Sequence, residues 1–338
     1  MALDALVPND PRVEHKFKSF GDIKYHYVLA KPQGNPVGTA LLVHGWPDLG
    51  FAWRFQVPYL TSLGLQVIVP DMLGYGQTSA PEPVEEYTMK KMTAHLAAIV
   101  KEVTDQPIIL GGHDWGGFFV WRMYAYYPEL IRAIFSLCVP YMPPSPVKLT
   151  LEDVVSKMPN FQYQLQLASG EAETILNKSP ENIRAFMNGL LGGTTPEGAP
   201  VMKIEVGVIE ENLKNVSPAT TVSKEVIDFY VQEHSRNGFH GPCNWYRTRT
   251  LNADDDLELA KRPDPRVTIP AMLVMAEKDA ALPPRLAEGQ DKLFTAGLKS
   301  EVVSNAGHWV MIEAPEAVNK HIGDFVKSVL GDELKASL

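Results

Sequence analysis

The sequence predicts an α/β protein, a mostly parallel, doubly wound sheet interrupted by an inserted helical segment. Two observations carry this reading. Short, nearly continuous apolar runs bounded by Gly, Pro or Asp alternate with helix-length amphipathic stretches, and this alternation stops after Leu137 and resumes near Val267. Strands buried on both faces of a parallel sheet read as unbroken apolar runs, and strand–helix alternation winds through right-handed crossovers.

The elements follow in order. Residues 16–29 alternate Tyr25, Tyr27 and Leu29 with polar or small residues around Gly21-Asp22, which predicts an antiparallel hairpin on the sheet edge. Strands are expected at 40–43, 66–69, 108–110, 133–135, 272–275 and 300–303. Met89, Met92, Leu96, Ile99, Val100 and Val103 recur at helical spacing, so 88–103 is a helix; 115–127 is another, ended by Pro128. Between the two halves the pattern is helical, with candidates at 151–158, 161–167, 180–191 and 222–232 and a break at 191–196. The organisation expected is a discontinuous core of 1–139 and 251–338 with a helical cap (lid), 140–250, inserted in it. The chain holds 27 prolines in 338 residues, against about 5% in average usage. Two clusters, Pro140 to Pro146 and Pro263 to Pro270, fall near the seams.

Composition narrows the function classes. Basic residues number 31 against 40 acidic, a net charge of −9, and no Lys/Arg-rich run occurs, which argues against nucleic-acid binding. No stretch approaches the ~20 apolar residues of a membrane span. The first sixteen residues lack the basic start and apolar run of a secretory signal, and residues 336–338 lack the basic middle residue of a peroxisomal address. Cys138 and Cys243 read as free thiols, and the expected location is cytoplasmic. No metal-ligand spacing stands out among the nine histidines, Asp254-Asp255-Asp256 reads as a solvated turn, and no cofactor is implied. Monomer and dimer both stay open.

The sharpest local signal is Gly111-Gly112-His113-Asp114-Trp115-Gly116-Gly117, directly after one strand and before a helix. Small residues two before and two after a central side chain permit the tight turn that thrusts it above the sheet, where hydrolases of carboxylic esters carry Ser. Here the residue is Asp114. Serine attack on an sp³ carbon gives a stable ether, whereas carboxylate attack gives an ester that water can open. Aspartate, with an ordinary pKa of about 3.9, is also ionised at neutral pH without help. The chemistry indicated is covalent displacement at saturated carbon.

Hydrolysing the ester requires a base and an acid that orients it, in chain order nucleophile, acid, histidine. His308, after the strand 300–303, is the base expected, at the end of a strand where open α/β sheets place their sites. Asp279 is the acid, with Glu277 as its rival. The oxyanion of the second step needs N–H donors, expected from Trp115 and from Trp46 in His44-Gly45-Trp46-Pro47, where the proline raises the chance of a cis bond.

These residues closely resemble the soluble epoxide hydrolases of the α/β-hydrolase fold. The resemblance rests on His44-Gly45-Trp46-Pro47, on Asp71-Met72-Leu73-Gly74-Tyr75-Gly76, on Gly112 to Gly117 and on Gly307-His308-Trp309, and it spans roughly residues 14–330. It implies a small apolar epoxide as substrate. It also implies two cap tyrosines that hold the epoxide oxygen, matched locally by Phe161-Gln162-Tyr163-Gln164 and Asn244-Trp245-Tyr246-Arg247. An opening oxirane leaves as an alkoxide, a strong base, so a protonated donor such as Tyr163 or Tyr246 is needed. Trp115, Phe161, Gln164, Met187 and Trp309 are the implied substrate-pocket residues, although Met187 also fits a cap-core position. A haloalkane dehalogenase shares the Asp nucleophile, but halide departure needs no proton and the tyrosine patterns weigh against it. Fluoroacetate dehalogenases place Arg where Trp115 stands. An inactive receptor on the same scaffold is at odds with retention of nucleophile, acid and base together.

Overall fold

The computed structural model describes residues 3–335, so the tripeptide 336–338 and its missing address signal lie outside the described residues. In chain order the first elements are β1 (Val13–Phe20), β2 (Ile23–Ala30), β3 (Gly38–Val43), α1 (Gln56–Ser62) and β4 (Leu65–Pro70). Next come α2 (Met89–Val103), β5 (Ile108–His113), α3 (Trp115–Tyr126) and β6 (Ile131–Leu137). A helical stretch follows: α4 (Leu151–Lys157), α5 (Tyr163–Ser169), α6 (Glu171–Leu176), α7 (Pro180–Leu190), the short strands β7 (Met202–Lys203) and β8 (Gly207–Val208), α8 (Lys224–Asn237), α9 (His240–Arg247) and α10 (Arg249–Leu259). The chain then returns through β9 (Ala271–Ala276), β10 (Leu298–Val303), α11 (Val310–Glu313) and α12 (Pro315–Leu330).

Eight strands form one sheet in the order β1-β2-β4-β3-β5-β6-β9-β10. β1 and β2 pair antiparallel with Phe20 opposite Ile23, which leaves Gly21-Asp22 as the two-residue turn expected at the sheet edge. Within this sheet β4, β3, β5, β6, β9 and β10 run parallel. All six residues of β5 and all six of β9 are buried, the physical reason their sequences read as unbroken apolar runs. The α2 face Met89, Met92, Leu96, Ile99 and Val100 is buried, as its spacing requires. Strand order reverses at β3, so the carboxyl ends of β3 and β5 border the crevice where open α/β sheets bind ligands.

By internal packing the chain divides into two compact units, one of Met1–Met72, Met89–Ser145 and Glu258–Leu338, the other of Leu73–Thr88 and Pro146–Leu257. The segment 73–88 joins the helical unit, which differs from the sequence reading. Its polar backbone is what ties it there: Leu73 O accepts the Trp245 indole N–H at 3.0 Å, and Asn237 Nδ2 donates to Gly76 O and Thr78 O at 3.0 Å each. A second correction concerns Asp254-Asp255-Asp256, which lies inside α10 rather than in a turn. Asn252, Asp256 and Leu259 are buried there at helical spacing, so packing overrides the weak helix propensity of Asp. Phe161 precedes α5 in a short 3₁₀ turn rather than starting the helix. Among the described residues no helix is long and apolar enough to cross a membrane.

Candidate active site

β5 runs almost directly into α3, and Asp114 alone makes the turn between them, with φ 52° and ψ −123°. A left-handed φ in a residue with a Cβ is strained and persists only where its surroundings impose it. Here they are backbone. A Cβ on Gly112 would lie 2.2 Å from Gly116 O, and one on Gly116 would lie 2.1 Å from Val43 O. Only glycine lets strand, helix and the neighbouring β3 close so tightly, which is the physical content of the spacing around Asp114.

The Asp114 carboxylate has two unlike oxygens. Oδ1 accepts the backbone N–H of Trp46 at 2.8 Å, and the N–H of Trp115 also bonds to the carboxylate. Oδ2 faces His308 Nε2 at 3.5 Å. The Trp46–Pro47 peptide is cis. His44 anchors this loop: its Nδ1 donates to Gly45 O at 2.9 Å and its Nε2 accepts the Met72 N–H at 2.9 Å. Burial lowers the His44 pKa to about 4, so its ring is neutral and serves as a spacer.

His308 lies between β10 and α11, and its Nδ1 donates to Asp279 Oδ2 at 2.7 Å. The other Asp279 oxygen accepts the N–H groups of Ala281 and Leu282 at 2.9 Å each. Glu277, the rival acid, instead accepts the Asn305 N–H at 2.7 Å. Burial alone would raise the Asp279 carboxyl, but the charge and hydrogen bond of His308 and the Leu282 N–H draw it down to about 2. Burial likewise opposes ionising Asp114, and His308 outweighs it to hold that carboxyl below its ordinary value. On His308 burial opposes the positive charge, yet Asp279 and Asp114 together hold its pKa well above that of an ordinary imidazole. Such an arrangement pairs an ionised carboxylate, one oxygen tethered by the Trp46 N–H, with a histidine backed by a second carboxylate.

Three residues that the sequence reading gave no role support His308. Glu313 accepts the Gly307 N–H at 2.7 Å and the Trp309 N–H at 3.1 Å, clamping the backbone on both sides of the histidine. His113 Nε2 donates to His308 O at 2.7 Å, and burial followed by the nearby His308 lowers the His113 pKa to about 4. Cys138 Sγ donates to the same carbonyl at 3.6 Å, and burial then Asp279 push its thiol well up. The ligand-capable atoms of His113, Cys138 and His308 lie within 4.8 Å of one another. The only clue in sequence was the adjacency of His113 to Asp114. Trp309 stands edge-on to His308 with ring centroids 5.1 Å apart, and Trp115 is half-buried beside Phe118.

In the helical unit Tyr163 begins α5 and Tyr246 lies in α9, and both are buried. Their rings meet edge-to-face, 6.2 Å between centroids at 74°. Gln164 is half-buried, and its Nε2 lies 3.4 Å from Tyr163 Oη. Phe161 is half-buried, and Met187 is buried in α7, 2% exposed. Both cysteines are buried free thiols.

Comparison with known proteins gives the relationship. Residues 40–177 match the α/β hydrolase fold family. An epoxide hydrolase of Neurospora crassa is 47% identical over 98% of this chain and 100% of its own length. The bifunctional epoxide hydrolase 2 of Mus musculus is 35% identical over 88% of this chain, which spans 54% of that relative. Among solved structures, epoxide hydrolase A from Mycobacterium thermoresistibile superposes with a TM-score of 0.79 at 28% identity, covering 93% of this chain and 98% of its own. A full-length relative at such identity leaves one assignment for a chain with aspartate at its strand–helix elbow: it belongs to the epoxide hydrolases of the α/β-hydrolase fold.

Proposed function

We propose that the protein hydrolyses a small apolar epoxide to a vicinal diol in two covalent steps centred on Asp114. Asp114 Oδ2 attacks a ring carbon while Tyr163 and Tyr246 hydrogen-bond the epoxide oxygen and protonate it as the ring opens, leaving a hydroxyalkyl ester. His308, oriented by Asp279, then takes a proton from water, which attacks the Asp114 carbonyl carbon. The Trp46 and Trp115 N–H groups hold the oxyanion, and collapse releases the diol as its leaving oxygen takes the proton back from His308. The helical unit acts as the cap in this scheme, with Trp115, Phe161, Gln164, Met187 and Trp309 around the substrate.

The observation that carries the reading is the unequal environment of the Asp114 oxygens, one bound to backbone N–H and one facing His308. The same facing pair explains how His308 becomes a base only in the second step. In the resting site two carboxylates favour imidazolium. Esterification removes the Asp114 charge, so the His308 pKa falls and it gives up its proton, by way of solvent to the tyrosine that protonated the epoxide oxygen, leaving a neutral base when water must be activated. Two free thiols accord with a reducing, cytoplasmic location.

The test is a single turnover of styrene oxide with excess enzyme in ¹⁸O-water. The first diol is expected to carry unlabelled oxygen from Asp114. Full label in that diol would mean direct attack by water and would overturn the ester.

A further inference from the structure

We propose that Arg247 is a positioning residue that fixes the two tyrosines relative to each other, an inference that rests on the roles proposed above for Tyr163 and Tyr246. Arg247 follows Tyr246 directly, and its guanidinium bonds to three separate elements of the helical unit. Nε donates to Ala168 O at 3.0 Å, in the last turn of the short helix α5 that Tyr163 begins. Nη2 donates to Glu173 Oε2 of α6 at 2.6 Å, and Nη1 donates to Asn244 Oδ1 of α9 at 2.8 Å. Glu173 grips α9 a second time, since its Oε1 lies 3.1 Å from Nδ1 of His240, the first residue of that helix. One carboxylate thus holds both ends of the helix bearing Tyr246, and one guanidinium joins that helix to the one bearing Tyr163.

The local structure is shaped around this cation. Gly170 links α5 to α6 with φ +91°, and a Cβ there would stand 3.2 Å from Arg247 Nη2. The ion pair is shielded, with side-chain exposures of 18% for Arg247 and 21% for Glu173. A planar fork sets the direction of its partners, which the rotatable ammonium of lysine does not. Direction matters because both phenolic hydroxyls must converge on one oxygen within hydrogen-bond range, and a misplacement of about 1 Å can cost about 100-fold in rate.

Arg247→Lys keeps the charge and loses the fork, so it separates positioning from bulk electrostatics. With saturating styrene oxide in the pre-steady state, intrinsic tryptophan fluorescence follows ester formation and then ester hydrolysis. The expected result is alkylation slowed between about 10- and 100-fold, with the rate of ester hydrolysis unchanged and the active fraction, read from burst amplitude, preserved. In a Tyr163→Phe/Tyr246→Phe background the same change is expected to add less than about twofold, because there is no longer a pair to align. A purely structural role lowers the active fraction and leaves both rate constants of the remaining enzyme alone; that result, or equal slowing of both steps, overturns the inference. If Arg247→Lys does not fold, Glu173→Gln is read in its place, with the same pattern expected at smaller size and the same outcomes overturning it. The two readings fail separately. Unchanged alkylation in the double phenylalanine variant removes the tyrosine roles, whereas suppressed alkylation there with normal alkylation in Arg247→Lys removes only Arg247.

Discussion

In the α/β unit Asp114 is aimed by backbone: a left-handed turn between touching glycines, with an N–H from the β3 loop on its carboxylate. In the helical unit Tyr163 and Tyr246 sit on helices of only 7 and 8 residues. Helices so short are marginal alone. Their relation depends on packing and on hydrogen bonds between side chains far apart in sequence, with Arg247, Glu173 and His240 at the centre. The contrast separates two kinds of constraint. The elbow leaves almost no freedom in which residues may occupy it, while the helical unit can be adjusted one side chain at a time.

The largest effect that probes this contrast is on chemistry with the backbone untouched. His308→Gln keeps the elbow and its N–H donors, so Asp114 should still alkylate while hydrolysis stalls. Steady-state turnover of styrene oxide is expected to fall by a factor on the order of 10³–10⁴, with the ester adduct on Asp114 visible by intact-protein mass spectrometry. A variant that loses turnover without accumulating adduct would show that His308 is needed before the ester forms.

A second comparison sets one glycine from each unit side by side. Gly116→Ala drives a Cβ into Val43 O and is expected to cost about 3 kcal/mol. Gly170→Ala meets the Arg247 side chain at 3.2 Å rather than backbone and carries mainly the strain of its φ of +91°, about 1 kcal/mol. Midpoints of chemical denaturation measure both, and equal losses would dissolve the distinction between backbone-fixed and side-chain-fixed geometry.

The smallest effect is a displacement on the pH axis. His308 is raised in the resting site by Asp279 and Asp114, so its ion pairing stabilises the fold fully below pH 6.5 and that contribution is lost as pH rises through the folded pKa. In the ester only Asp279 still supports the imidazolium. The rate of ester hydrolysis should therefore rise with pH through a lower pKa than the one found for His308 in the free enzyme by NMR. Coincident values would mean that Asp114 contributes nothing to the resting shift.

Much of the core was legible because it rests on local signals: apolar runs bounded by turn residues, the 88–103 periodicity, and the glycines around Asp114. That Asp279 and His308 should meet was expected from their loops at strand ends, and the two lie 2.7 Å apart. The tyrosines were not legible from physics alone, since a buried tyrosine in a helical pattern is usually packing, and only family resemblance singled them out. What escaped were the long-range polar contacts outside the constellation of Asp114, Asp279 and His308. His113 supports His308 across 195 positions, and Arg247 meets Glu173 across 74, with no periodicity to announce either. The segment 73–88 was misassigned for the same reason: its partners, Asn237 and Trp245, lie more than 150 positions away.

The Trp46 N–H on Asp114 Oδ1 has one more consequence. It makes a symmetric carboxylate chemically handed, with one oxygen tethered to the backbone and the other exchanged. In the proposed cycle each diol departs with the exchangeable atom and each water replaces it, so the enzyme renews half of its own nucleophile at every turnover. The tethered oxygen, placed in the chain at synthesis, stays for as long as that hydrogen bond keeps the carboxylate from turning over.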